Sequence, residues 1–238
     1  MAGLDQTASS PSRHRAALTQ VSATEVEIAL DVVDWRQKVF ALYRSVRELA
    51  VTDPEAAHTL WRRKRDELFG SHPSSPLIAV DRPGFRGLCV AEYDAAWRIE
   101  SSIQAAAVLR RLDVPTGTDG VVPFELLGTV EVEVRGTLLG RLDVWRIAAY
   151  GGGLFIPVKD SSAGTAGGTY GGGRYLIDTI KGADLGRGEV PGSIVLDFNF
   201  AYNPSCAYDP QWACPLAPPG NILETAVPVG ELYGSADI

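Results

Sequence analysis

The sequence predicts a mainly β protein, an antiparallel sandwich or barrel-like domain, preceded by an N-terminal α-helical hairpin arm. Three observations predict it. Apolar residues recur at three- and four-residue steps between about Ala23 and Leu68, and from Leu77 onward the period drops to two. Glycine-containing turns then separate many short apolar runs, with no internal repeat of fixed length.

Residues 1–21 carry Asp5, Arg13, His14 and Arg15 scattered among Ala, Ser and Pro, without the apolar centre of a secretory signal. They read as a disordered leader on a cytoplasmic protein. The helical arm follows over residues 22–70. Ser22-Ala23-Thr24-Glu25 fits a capping box, in which hydroxyl and carboxylate each satisfy a free backbone N–H. Val32, Trp35, Val39, Leu42, Tyr43, Val46 and Leu49 then share one face of a helix from about Ala23 to Ala50. A second helix starts at Thr52-Asp53-Pro54-Glu55, runs through Leu60, Trp61 and Leu68, and stops before Gly70. A link this short makes a hairpin, which either packs on the main domain or dimerises with another copy through Trp35, Val39 and Leu42.

The β domain occupies residues 71–238. Thr129–Gly136 alternates strictly, as a strand with one wet and one dry face does. Further strand candidates are 86–90, 97–101, 103–109, 142–147, 154–158, 175–177, 194–202 and 222–227.

Composition removes several functions. Net charge is −7 over 238 residues, whereas a nucleic-acid binder needs a basic face. The one basic run, Arg62 to Arg65, meets Asp66 and Glu67 in the i,i+4 pairs Arg62–Asp66 and Arg63–Glu67, an ordinary solvated helix face. No stretch approaches the roughly 20 apolar residues of a membrane helix. His14, His58 and His72 all precede the β region, so His-based triads, paired-His zinc sites and Cys–His dyads lack a member there unless the arm folds over the site. Asp160 stands where a GxSxG elbow needs glycine. No metal site or cofactor motif emerges: Gly164–Gly173 lacks both the P-loop lysine and the Rossmann spacing.

What remains lies towards the C-terminus. The glycine-rich stretch makes a backbone nest with Tyr170 beside it and Arg174 as an anion fork, or else a hairpin loop with a structural Arg. In 194–203, alternation places Asp197, Asn199 and Asn203 on one face, opposite Ile194, Leu196, Phe198, Phe200 and Tyr202. Asp and Asn are poor strand formers, so the polar face either lines a cavity or meets solvent for a specific purpose. The segment Pro204–Asn221 then carries five prolines, Tyr208, and Cys206 and Cys214 eight positions apart. That pair is open to four readings: packing, a disulfide, a nucleophile or redox couple, or half of a metal site. Cys89, in an apolar run, reads as core.

Leu154-Phe155-Ile156-Pro157, Asp160, Gly164, Thr169–Tyr175, Asp197-Phe198-Asn199, Ala201–Pro204, Cys206-Ala207-Tyr208, Cys214-Pro215, Pro219, Asn221 and Gly230-Glu231 form a set of motifs. With them, from about Trp35 to Glu231, the chain resembles a bacterial and archaeal family that carries only a domain-of-unknown-function label. Many relatives look like exported lipoproteins, and there the resemblance implies a disulfide between the matching cysteines. This chain departs in lacking an export signal, and in carrying Val158-Lys159 and Gly220 where relatives have other residues.

The leading expectation is a small-molecule enzyme working without His or an obligatory cofactor, by hydrolysis, isomerisation or cyclisation of a polar or anionic substrate. Asp197 is its general base and Tyr208 or Cys206 its acid or nucleophile. Arg174, Tyr170, Asn199, Asn203 and Asn221 hold the substrate. The alternative is a non-catalytic ligand-binding or interaction protein in which the same polar groups lock the C-terminal loop.

Overall fold

The computed structural model describes residues 22–115, 120–148 and 151–234. The leader expected over residues 1–21 lies outside the described residues.

Two helices open the fold. Helix α1 (Ala23–Ala50) begins at the capping box: the Ser22 hydroxyl accepts the Glu25 N–H at 3.2 Å, and the Glu25 carboxylate accepts the Ser22 N–H at 2.6 Å. Helix α2 (Pro54–Ser71) is capped by Asp53, whose carboxylate accepts the Ala56 N–H at 2.9 Å. It passes Gly70 by one residue, with the His72 N–H still bonded to the Leu68 carbonyl at 3.0 Å. Trp61 Nε1 donates to the Tyr43 hydroxyl at 3.0 Å across the seam. Leu42 is buried, and Trp35 packs against Phe69 and His72 with ring centroids 5.8 and 5.2 Å away. Of the stripe read as a dimer seam, Leu42 is buried within the chain, while Trp35 and Val39 stay part-exposed. The Arg62–Asp66 pair gives way to longer-range bonds: Arg62 reaches Glu92 at 3.1 Å, and Asp66 accepts the Leu88 N–H at 2.8 Å. Arg63–Glu67 forms as expected, at 2.9 Å.

Eight strands follow among the described residues: β1 (Arg98–Ser102), β2 (Gln104–Ala105), β3 (Arg111–Pro115), β4 (Val121–Val134), β5 (Thr137–Ile147), β6 (Leu154–Val158), β7 (Arg174–Asp178) and β8 (Ser193–Asp197). They pair antiparallel in a six-stranded sheet, β2-β4-β5-β6-β7 with β3 also on β4, and a two-stranded sheet, β1-β8. The chain is thus mainly β with an N-terminal helical hairpin. Between β4 and β5 the two-residue turn Arg135-Gly136 has φ of 53° and 75°, the positive pair that matches a twisted hairpin.

The large sheet is apolar on both sides. One side packs on β8 through Val130, Val132, Leu142, Val144, Ile156 and Leu196. The other, with Phe124, Trp145, Phe155 and Tyr175, receives the hairpin through Tyr43, Val46 and Trp61. The helical arm is therefore part of the core.

Four expected strands are shorter or absent. Only Val90 of 86–90 pairs, as a bridge to Glu231; only Gln104–Ala105 of 103–109 are in a strand; and 222–227 keeps one bridge, Ile222 to Lys159. The fourth bears on the site. Strand β8 stops at Asp197, and Phe198–Phe200 turn into a 3₁₀ helix capped by the Asp197 carboxylate, which accepts the Asn199 N–H at 3.1 Å. Local capping by Asp overrides the period-two pattern, so Asp197, Asn199 and Asn203 do not share a strand face.

Candidate functional site

The polar residues singled out from the sequence separate into two groups. Those in the first group are consumed by the fold. Arg174 is fully buried on β7, and its guanidinium donates to the Val229, Val227 and Glu231 carbonyls and, at 3.1 Å, to the Asp160 carboxylate. Asp160 also accepts the Thr169 hydroxyl at 2.8 Å and the Ser162 N–H at 2.9 Å. Burial alone would raise the Asp160 carboxyl, but hydrogen bonds from Ser162 and the Arg174 charge outweigh it and hold the group below its ordinary range. Gly230 packs so close to this knot that a Cβ there would lie 2.6 Å from the Phe198 carbonyl, at a φ of +80°. The expected anion fork is thus turned inward onto backbone carbonyls.

Asn221 is likewise buried, accepting Trp145 Nε1–H at 3.0 Å and donating to the Asp143 and Pro157 carbonyls, each at 2.9 Å. The Asn199 amide accepts the Asp94 N–H at 2.8 Å and donates to the Asp94 carbonyl and the Asp197 carboxylate at 3.0 and 2.7 Å. Asp197, 2% exposed, also receives Arg98 at 3.1 Å. Burial raises the Asp197 carboxyl against the pull of Asn199 and Arg98. Its lone pairs are spent on loop closure.

The second group converges on a cleft between the hairpin and the C-terminal loop. Its volume is about 190 Å³. Trp35, Val39, Phe69 and Trp212 supply apolar walls. Arg65, Tyr202, Asn203 and Tyr208 supply polar groups, and Arg36 and Lys181 add two more cations. No carboxylate lines it. Among the described residues, seven buried side-chain polar atoms have no hydrogen-bond partner, and four belong to this lining: Arg65 Nε, Tyr202 OH, Asn203 Oδ1 and Tyr208 OH. Buried polar atoms are normally paired, so their concentration among the residues of one lining sets this cleft apart from the rest of the described surface.

These groups are held rigidly. The Arg65 guanidinium bonds Glu231 at 2.7 Å and lies 4.8–5.1 Å from the ring centres of Trp61, Phe69 and Tyr202. Asn203 is fixed by its N–H to Glu231 at 3.1 Å and its amide to the Leu232 carbonyl at 3.1 Å, which leaves Oδ1 unpaired. Tyr208 stacks edge-on against Phe69 at 5.1 Å. Cys206 follows the lining residue Ser205 without lining the cleft itself; the Tyr170 hydroxyl donates to its Sγ at 3.7 Å, and the Tyr170 ring rests on Tyr233.

Of the residues proposed from sequence, the structure brings Asn203 and Tyr208 to the cleft and keeps Cys206, Tyr170, Asp197, Arg174, Asn199 and Asn221 out of its lining. Sequence reasoning missed Arg65, which looked like part of a solvated run, and Tyr202, which looked like plain core. A signal existed for Arg65: it lies four residues after Trp61 and four before Phe69, placing a guanidinium within the aromatic stripe of α2.

The family described as "protein of unknown function (DUF1684)" matches residues 83–232, well over half of the chain. The chain belongs to this family. The DUF1684 match begins after the hairpin, so the cleft joins family residues Tyr202–Trp212 to an arm that precedes the matched stretch. The chain is also similar to an uncharacterized protein from gene locus rrnAC0354 of Haloarcula marismortui, solved by solution NMR. The two are 33% identical, with a TM-score of 0.53 over 74% of this chain and 92% of that one. No curated protein matches the chain.

Proposed function

We infer that this DUF1684 protein is a non-catalytic binder of a small amphipathic anion, taken up in the cleft between the helical hairpin and the C-terminal loop. One observation carries this: a single cleft with aromatic walls is lined by three cations and no carboxylate, and four of its lining residues each hold a buried polar atom without a partner. Arg65 and Lys181 have acidic neighbours, Glu231 at 2.7 Å and Asp178 at 3.5 Å, whereas Arg36 has no such partner among the described ion pairs and supplies the net positive charge. The volume is below the roughly 300–1,000 Å³ of pockets that hold drug-sized ligands, which fits a short aliphatic or single-ring carboxylic acid.

The enzyme reading has less support, because its general base, Asp197, is tied to Arg98 and Asn199 outside the cleft. A panel of short aliphatic and single-ring carboxylic acids, screened by thermal shift and followed by tryptophan fluorescence, tests the inference. At least one acid should stabilise the protein, and Arg36→Gln and Trp212→Ala should abolish that effect while leaving the unliganded melting temperature nearly unchanged. Stabilisation that survives both substitutions would sink the assignment to this cleft. Turnover of any acid that Asp197→Asn abolishes in a folded protein would restore the enzyme.

A further inference from the structure

The loop from Pro204 to Pro215 holds two thiols in an arrangement that the ligand reading does not use. A 3₁₀ turn over Ser205–Ala207 places Cys206, with the Tyr208 and Asp209 N–H groups both bonded to the Ser205 carbonyl, at 3.0 and 3.2 Å. The other end is fastened by the Tyr175 hydroxyl, which donates to the Pro215 carbonyl at 2.8 Å, and by the Ala217 N–H on the Gly172 carbonyl at 3.2 Å. With both ends pinned, the Cys206 N–H donates to Cys214 Sγ at 3.4 Å, which brings the two cysteines together within the loop. Both cysteines are part-exposed, and neither is in a disulfide.

The pair is asymmetric. The hydrogen bond from the Cys206 thiol, the Cys206 N–H and the Lys181 charge favour a thiolate on Cys214 and outweigh its burial. On Cys206 the neighbouring thiol and burial act the other way and push its thiol up. Cys214 is thus the sulfur set up as a nucleophile, and the backbone N–H of Cys206 lies 3.4 Å from it.

We propose that Cys206 and Cys214 form a reversible dithiol–disulfide site, in which Cys214 attacks a low-molecular-weight disulfide and Cys206 resolves the adduct. The Cys214 thiolate bonds to one sulfur of the reagent, the reagent's S–S bond breaks, and one thiolate leaves with the electron pair. Cys206 then loses its proton to solvent, attacks Cys214 Sγ and expels the second reagent thiolate. The protein dithiol is oxidised by two electrons, and the small disulfide is reduced to two thiols. The site is independent of whether the neighbouring cleft binds an anion.

Oxidised glutathione is the probe. The folded full-length protein is incubated with it, quenched with an alkylating agent under denaturing conditions, and weighed intact. The wild type, with three cysteines in all, should lose two hydrogens and keep one alkylatable thiol, Cys89. Cys206→Ser should accumulate a stable glutathione adduct at Cys214, and Cys214→Ser should form one at Cys206 at least about tenfold more slowly. Cys206→Ala and Cys214→Ala serve the same comparison if a serine variant melts early. Alkylation of all three cysteines in the treated wild type would overturn the proposal, as would equal adduct rates in the two single variants.

Discussion

Arg65 on α2 and Glu231 near the end of the chain, 166 positions apart, meet in a buried 2.7 Å ion pair that closes the hairpin onto the β domain. The pair also organises the cleft, because the Glu231 carboxylate receives the Asn203 N–H and the Arg65 guanidinium lies among Trp61, Phe69 and Tyr202. Glu231→Gln leaves a buried guanidinium without its counter-charge and should cost roughly 3–5 kcal/mol in urea unfolding. The double variant Arg65→Met/Glu231→Gln should recover part of that loss. If the single variant unfolds like the wild type, the pair is not what fastens the hairpin.

Arg174 tests whether a guanidinium fork is needed inside the core. Its two terminal nitrogens serve four acceptors from two segments of the chain, Asp160 and the stretch 227–231. Lysine keeps the charge but not the planar fork, so Arg174→Lys should destabilise by at least about 3 kcal/mol. A melting temperature within a few degrees of the wild type would show that charge alone suffices.

Asp197→Asn separates a loop lock from a catalytic base. The substitution removes the ion pair to Arg98 and weakens the cap on the Phe198–Phe200 turn. It should cost about 2–4 kcal/mol of stability. Affinity of the folded fraction for a cleft ligand should stay unchanged in calorimetry; a parallel loss of affinity would tie Asp197 to the cleft.

His58 gives the fold an acid-sensitive point. Burial, aided by the Arg62 charge, lowers its pKa from 6.5 to about 4. The unfolded chain takes up this proton first, so the stability linked to neutral His58 is complete above pH 6.5 and is lost as pH falls to about 4. The loss is on the order of 3 kcal/mol. His58 packs on Trp61, Tyr93 and Phe200 with centroids 5.4–5.7 Å apart, a site that accepts another ring. His58→Phe should therefore flatten the stability profile between pH 6.5 and 4. A slope identical to that of the wild type would assign the acid sensitivity to other groups.

The sequence by itself determined the helical hairpin, the change of period that marks the β domain, and the C-terminal region in which Asn203 and Tyr208 lie. Each is a local matter: Ser22 reaches Glu25 three residues on, and strand periodicity is read within one segment. Tertiary structure decided which polar residues are free. Arg65 and Arg174 look alike as letters, yet one finds Glu231 and an open cleft and the other finds four acceptors and no solvent. Asp197 and Asn199 were read as a strand face, but Asp197 captures the Asn199 N–H two residues on and ends the strand. The partners of Arg65, Arg174 and Asn221 lie 55 or more positions away in most cases, and hydrogen bonds at that separation exist only once the chain has folded.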